Sequence, residues 1–513
     1  MKNYELNLFY TSDVHGSLIP DNFGTFQKDL KGLSRLKTFL DRQTSDYLLF
    51  DNGDILQGSP LMNYWLLAER SKVSPANLVM NHLGYDYATL GNHDFNYGED
   101  ILASYVNHSN AKILCANVNR KDGRHAFTPY DIKILANGIK IGIIGAITQA
   151  VPNWEKPENI KDLVFKDAFE SVKKYVELLR PVVDCLIVLY HGGIERDMKT
   201  GVPLGRKSSE NKGYQMAMEL PIDILLTGHQ HAPKCGMVNH CLVLQTSHSA
   251  FDFGSVHLEF TESDGGWNLY SKTGEIVPMA FESDIETEKL IEKLITKTNI
   301  YLDQVLVTTD GESLLIGDAF EARKNNHPLF KIVNDAQLWI SKAMISGASL
   351  PNQITGLNHQ ISMRDLESTF IYPNTLFVIE VTGKSLKAAL EKGAEYFEKV
   401  DGRITLSPQY AHPKLEHYNY DIYAGIDYSI NVSKPKGERI FDLKYQDKLI
   451  SDQDVFTLAL NNYRAIGGGD YGMYRNQKIL KEINMTTAEI VIEYFKEHPH
   501  LSVEKLHNPS ITL

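Results

Sequence analysis

The sequence predicts an α/β protein built in two parts, on three observations. Apolar, β-prone runs recur through the first half, each ending in a short glycine-containing turn with polar residues. Helix-like stretches, with apolar residues at three- and four-residue spacing, lie between them. Around Ser283 the pattern changes, and the chemistry-bearing turns stop. Continuous apolar runs mark strands covered on both faces, and their alternation with helices marks a layered sheet.

Taken in order, "LNLFYTSDVHG" closes on Asp13 and His15, and "YLLFDNGD" on Asp54. "YDYATLGNHD" closes on Asn92, His93 and Asp94, "DCLIVLYHGG" on His191, and "IDILLTGHQH" on His229 and His231. One run, "IKIGIIGAITQ", ends on no ligand type and reads as a plain core strand. "LSRLKTFLDRQ" and "AFESVKKYVELLR" read as covering helices. Ligands gather beyond the carboxyl ends of strands in such sheets, so the five polar turns are expected on one edge. Residues 283–306 read as a helical linker between domains at 1–282 and 307–513. Its expected cap is Ser283 or Asp284, and its buried stripe Leu290, Ile291, Leu294 and Ile295. Beyond it come a strand–helix unit, "TLFVIEVTGKSLKAALEKGAEYF", and a tyrosine-rich alternating segment, "YNYDIYAGIDYSINVS". The last landmark is a glycine cluster after an apolar run, "LALNNYRAIGGGDYG".

The 513 residues carry a net charge of −12, with 43% hydrophobic and 23% charged residues. That is an ordinary globular balance. Its acidity argues against broad electrostatic binding to nucleic acid or to an anionic membrane. It leaves small anionic substrates open, because a local metal charge outweighs the global sign. No run is long and apolar enough to cross a bilayer. Cys115, Cys185, Cys235 and Cys241 form no CxxC pair and are expected to be reduced and buried. "MKNYELNLFYTSDVHG" lacks the basic start, apolar centre and cleavage site of a secretory signal, so the expected location is cytoplasmic.

The polar turns supply Asp13, His15, Asp54, Asn92, His191, His229 and His231: two carboxylates, one amide oxygen and four imidazoles. Mixed oxygen and nitrogen donors without cysteine suit borderline divalent ions such as Mn, Fe, Co or Zn. Seven donors exceed one tetrahedral centre. They suit two ions sharing a carboxylate, about 3.5–4 Å apart, the usual device for attacking phosphate esters. Residues i and i+2 of an extended segment point to one side, so Asp13 and His15, like His229 and His231, are expected to grip together. His248, His257, His82, His125, His240, His412 and His417 have no matching partner spacing and receive no role.

The ordered set D-x-H, G-D, G-N-H-D, H-G-G and G-H-x-H resembles the calcineurin-like metallophosphoesterases. "DNGDILQGSPLMNY", "GNHDFNYG", "YPNTLFVIEVTG", "NYDIYAGIDYSINVSKP" and "NNYRAIGGGDYG" are similar to the two-domain 5′-nucleotidase family, and most to its 2′,3′-cyclic-nucleotide 2′-phosphodiesterase/3′-nucleotidase branch. The resemblance implies an N-terminal four-layer αββα sandwich and a C-terminal α/β substrate domain. It assigns Asp13, His15, Asp54 and His231 to one metal, and Asp54, Asn92, His191 and His229 to the other, with Asp54 bridging. His93, Asp94 and Asn96 make up the expected catalytic turn: His93 faces the phosphate and Asp94 orients a neighbour. Family members of the 5′-nucleotidase type place an Asp three residues after this His; here Asn96 stands there. Tyr420 and Tyr463 are expected to sandwich the nucleobase, beside Gly468 and Asp470, with Tyr418, Tyr423 and Tyr428 as nearby rivals to Tyr420. The family's substrate arginine has no clear match, and Arg323 and Arg364 are the loose candidates.

The expected activity is hydrolysis of nucleotide phosphate esters by two divalent ions (Mn, Zn, Fe or Co), with a small nucleotide as partner and neither nucleic acid nor membrane. Two rivals stand beside it: a nuclease or general phosphatase on the same metal core, opposed by the acidic charge and the second domain, and a silent nucleotide sensor, opposed by the complete ligand set.

Overall fold

The structure is a computed structural model. It describes the whole chain except Met1, residues 25–26, Trp154, 205–209, 264–265, Glu312, Gln353, 371–373, 412–414 and Ser502. His412, and Tyr372 and Pro373 of "YPNTLFVIEVTG", therefore lie outside the described residues. The chain forms two compact units, one running to Thr298 apart from residues 23–25, the other holding those residues and Asn299–Leu513.

The principal strands of the first unit are β1 (Asn3–Thr11), β2 (Tyr47–Asp51), β3 (Tyr87–Ala88), β4 (Lys112–Ile113), β5 (Tyr130–Ile134), β6 (Lys140–Ile147), β7 (Cys185–His191), β8 (Ile224–Thr227), β9 (Lys234–Val238), β10 (Cys241–Gln245), β11 (Asp252–Ser263) and β12 (Gly266–Pro278). They build two six-stranded sheets among the described residues, in the orders β12-β11-β1-β2-β3-β4 and β9-β10-β8-β7-β6-β5. The central pairs, β1–β2 and β7–β8 among them, are parallel.

Side-chain alternation explains the layering. Leu6, Leu8 and Tyr10 of β1 join Ile187 and Leu189 of β7 in a shared core between the sheets. Phe9 turns the other way and meets Phe39 of the helix Leu33–Leu40, rings 5.0 Å apart. On β7 the outward set, Leu186, Val188 and Tyr190, packs with Phe169, Val172 and Val176 of the helix Ala168–Leu179. The unit is thus a helix–sheet–sheet–helix sandwich. Each fully buried Leu or Ile of the central layer contributes about 1.5–3 kcal/mol.

The linker helix runs Ile285–Leu302, and Asp284 caps it by accepting from the Thr287 amide at 2.7 Å. Its stripe departs from expectation. Ile291 and Leu294 are buried, but Leu290 is 44% exposed, and Thr287, Thr298 and Leu302 are covered instead.

In the second unit, β13 (Ile345–Ala348), β14 (Thr375–Thr382), β15 (Ile422–Ala424), β16 (Val455–Asn461) and β17 (Ile479–Thr486) form a sheet ordered β15-β13-β16-β14-β17. Its core is rich in tyrosine: Tyr396, Tyr410, Tyr420, Tyr423, Tyr428, Tyr471 and Tyr474 are all buried.

Candidate metal centre

Just beyond the carboxyl ends of β1, β2, β7 and β8 the chain turns sharply. Asp13, His15, Asp54, His229 and His231 all adopt left-handed backbone conformations, with φ of 54°, 49°, 60°, 70° and 55°. This is a region that side-chain-bearing residues rarely occupy. The expected extended D-x-H device is therefore not what aims these side chains: successive left-handed turns do. The turns interlock, because the Asp13 amide donates to Gly53 O at 2.9 Å and the His15 amide to Asp54 O at 2.8 Å. They also approach closely. A Cβ on Gly91 would lie 2.1 Å from Asp54 Oδ1, and one on Gly228 would lie 2.1 Å from Ser12 Oγ.

The side chains converge on two overlapping clusters, Asp13–His15–His231 and Asp13–Asp54–His191. His231 Nε2 is 3.3 Å from Asp13 Oδ1 and 3.1 Å from His15 Nε2. His191 Nε2 is 3.3 Å from Asp54 Oδ2, 3.2 Å from Asn92 Oδ1 and 4.0 Å from Asp13 Oδ1. Asp54 Oδ1 accepts the His93 amide at 2.7 Å, which leaves Oδ2 facing His191 and, at 4.0 Å, His15. Both carboxylates reach both histidine groups, so the geometry does not single out Asp54 as the bridge.

The second ring nitrogens decide what the centre can hold. His191 Nδ1 lies 2.7 Å from Asn52 O, and His15 Nδ1 3.1 Å from Gln57 O. A carbonyl only accepts, so each Nδ1 carries a proton and each ring turns its Nε2 inward. Two imidazole Nε2 atoms, two carboxylates and an amide oxygen then face one another. Such a set is tolerable only around positive charge, and it fits divalent ions.

In the ion-free centre that positive charge falls on His191. Burial opposes ionising Asp13, yet His191 and His231 hold its carboxyl at about 2. Asp54 is likewise held well below the ordinary range by His191 and His93, against the effect of burial. Burial would lower His191, but the Asp54 and Asp13 carboxylates outweigh it and push the imidazole up to about 10. His15, where burial dominates, falls to about 4.

His229 sits beside His191, rings 5.6 Å apart, and its amide donates to both Asp13 oxygens at 3.0 Å. Its Nε2 lies 2.8 Å from Glu210 Oε1, where the carboxylate accepts the Nε2–H. His93 is half-buried with its ring 5.5 Å from His15. Asp94 is fully buried and meets no substrate: it accepts the amides of Gly91, Asp54, Ile55 and Leu56 at 2.8–3.0 Å, pinning the Asp54 turn. Burial and the Asp54 charge raise its carboxyl to about 6, against those amides. Asn96 accepts His93 Nδ1 at 2.8 Å, so it too acts through a neighbour. His248, expected to have no role, packs against His231 with rings 4.9 Å apart and tilted by 35°. Sequence reasoning also missed Glu210 and Glu155, since neither stands in a strand-end turn.

The second unit corrects the aromatic pair. Tyr420 is 1% exposed, stacked on Tyr396 at 4.9 Å with Phe397 edge-on at 5.1 Å, so neither face is open to a base. Tyr463 is 40% exposed, and Tyr418 is half-buried. Gly468 lies against the Tyr463 ring, where a Cβ would come within 2.6 Å, and Asp470 is exposed in a left-handed turn. Arg464 holds this loop. It pairs with buried Asp421 at 2.7 Å, donates to Asn419 Oδ1 and Gly468 O, and stacks 3.9 Å over Tyr471. Arg323 and Arg364 are both buried and committed, the first to the carbonyls of His417, Leu350 and Pro351, the second to Asp303, so neither serves as a substrate arginine.

Residues 6–233 match the calcineurin-like phosphoesterase family, and residues 305–476 match the 5′-nucleotidase C-terminal domain. The Trifunctional nucleotide phosphoesterase protein YfkN of Bacillus subtilis is 26% identical over 99% of this chain, which spans only 39% of that protein's length. The 2′,3′-cyclic-nucleotide 2′-phosphodiesterase/3′-nucleotidase of Haemophilus influenzae is 27% identical over 90% of this chain and 80% of its own. Among solved structures, a Staphylococcus aureus protein provisionally named a 5′-nucleotidase superposes with a TM-score of 0.80 at 31% identity, covering 99% of this chain and 100% of the other.

Proposed function

The chain belongs to the calcineurin-like phosphoesterases that carry a 5′-nucleotidase C-terminal domain, and on that premise we propose that it hydrolyses phosphate esters of nucleotides with two divalent metal ions. The observation that carries this is the inward-facing acceptor set at the strand ends, which has the donor chemistry for Mn, Zn, Fe or Co. Asp13, His15 and His231 would hold one ion, and Asp54, Asn92, His191 and His229 the other, with a carboxylate shared between them. Such ions, when bound, neutralise phosphate oxygens and lower the pKa of a water nucleophile. Around them the protein fixes the ligands: Asn52 O and Gln57 O set two histidine tautomers, and Asp94 holds the Asp54 turn. His93, close to His15 and outside both ligand clusters, is the imidazole left to stabilise charge or pass a proton to the departing sugar oxygen.

Tyr463, exposed at 40%, remains the aromatic surface offered to a base, and buried Tyr420 does not. The substrate class is read from the relatives: nucleoside 2′,3′-cyclic phosphates and 3′-monophosphates first, 5′-monophosphates second. The acidic charge opposes a nucleic-acid substrate. A panel of these nucleotides, bis-(p-nitrophenyl) phosphate and duplex DNA, run in Mn, Zn, Co and Mg, tests the proposal. Metal-dependent turnover of nucleotides, abolished by chelation, is expected. No turnover of any ester in any metal, or cleavage confined to DNA, overturns it.

A further inference from the structure

β6 reads in the sequence as a strand with no chemistry at its end. The chain that follows it nevertheless reaches the site. After the short turn Val151–Asn153 it delivers Glu155, whose side chain is buried at 9% exposure. Glu155 Oε2 accepts Asn96 Nδ2 at 2.6 Å. Oε1 accepts Asn159 Nδ2 at 2.8 Å and the Lys156 amide at 2.7 Å. Asn159 also donates to Asn96 O at 2.7 Å, so the two segments are clasped at backbone and side chain together.

This contact has a directional consequence. An ionised carboxylate only accepts, so it obliges Asn96 to turn its NH2 group to Glu155. The Asn96 carbonyl oxygen then faces His93 Nδ1, 2.8 Å away, and that nitrogen must carry a proton. The nitrogen left to exchange a proton with substrate is Nε2. Without Glu155 the amide could flip, present NH2 to the imidazole, and select the opposite tautomer.

We propose that Glu155 is a positioning residue for ester hydrolysis, acting through Asn96 to fix the tautomer and aim of His93. The proposal rests on the reading of His93 as the imidazole that meets the substrate. The chain carries its carboxylate one link further from the histidine than a direct His–Asp pair would, and the intervening amide relays direction without adding charge beside the metals.

Glu155→Ala and Glu155→Gln are compared with wild type and with His93→Asn, using bis-(p-nitrophenyl) phosphate and the best nucleotide. Glu155→Ala is expected to lower kcat about 10–100-fold, the usual effect of losing an outer-shell carboxylate, with KM and bound metal unchanged. Glu155→Gln, which keeps an acceptor oxygen for Asn96, should recover much of that loss. Histidine 15N spectra give a second readout, whose wild-type arm needs no variant to fold. Wild type should show neutral His93 protonated at Nδ1, and Glu155→Ala should lose that preference. If kcat in Glu155→Ala equals wild type while His93→Asn is slow, Glu155 has no such role and the reading of His93 stands. If His93→Asn is as fast as wild type, that reading itself falls. An Nε2–H tautomer in wild type overturns the proposal outright.

Discussion

Five of the seven candidate ligands hold left-handed backbones, and none of the five is a glycine. A single left-handed residue is strained by about 1–2 kcal/mol, because Cβ crowds the following carbonyl oxygen. Strain of this kind persists where surrounding contacts over-determine it, and here the interlocked amides of Asp13, His15 and His229 do so. His231 allows a clean measurement, since its side chain is 41% exposed. In metal-free protein, His231→Gly should be more stable than His231→Ala by about 1–2 kcal/mol in denaturant unfolding, because only glycine is relaxed at this φ. Equal stabilities would mean the turn is not strained. In the metal-loaded protein both variants should lose a ligand alike, so a difference that appears only with metal would also count against this account.

At the scale of elements, the site is a set of strand ends, and that is why so much of it was legible. A continuous apolar run followed by a short polar turn containing glycine marks where a buried strand leaves the sheet, and β1, β2, β7 and β8 end at such marks. What was not legible arrived by packing. Glu155 and Glu210 meet Asn96 and His229 across 59 and 19 residues of chain, and no local spacing marks either carboxylate. The helix stripe slipped at Leu290 for the same reason, since neighbours and not periodicity chose which face to cover. The Glu210 contact carries a prediction of its own. By accepting the Nε2–H of His229 it holds that ring in place, and removing a partner of that kind typically weakens metal affinity about 10–100-fold. Metal titration of Glu210→Ala should show one of two sites weakened. Two sites of undiminished affinity would show that His229 is oriented by something else.

For the molecule as a whole, the tyrosines divide into a buried class, Tyr420 among them, and an exposed class that includes Tyr463 on the short helix Asn462–Ala465. Tyr463→Ala should raise KM for nucleotides and leave bis-(p-nitrophenyl) phosphate hydrolysis near wild type, as loss of a stacked ring costs roughly 1–3 kcal/mol per base. Tyr420→Ala should act on folding instead, destabilising the second unit by about 3–5 kcal/mol, the usual range for emptying an aromatic core position. The opposite pattern, with Tyr420→Ala folded and selectively weak for nucleotides, would restore the pair read from the sequence. The inward-facing acceptors of the first unit reach further than chemistry. A ligand set that only the fold assembles binds an ion far better when folded than when unfolded, so by mass action the ion is also a folding partner. At a hundred times its dissociation constant it adds about 2.7 kcal/mol to the stability, and each further tenfold about 1.4 kcal/mol more. The melting temperature should therefore climb with the logarithm of free metal and drop on chelation, with no substrate present. For this protein thermal stability is then a property of the solution as much as of the chain, and a melting curve alone would rank the metals that the site prefers.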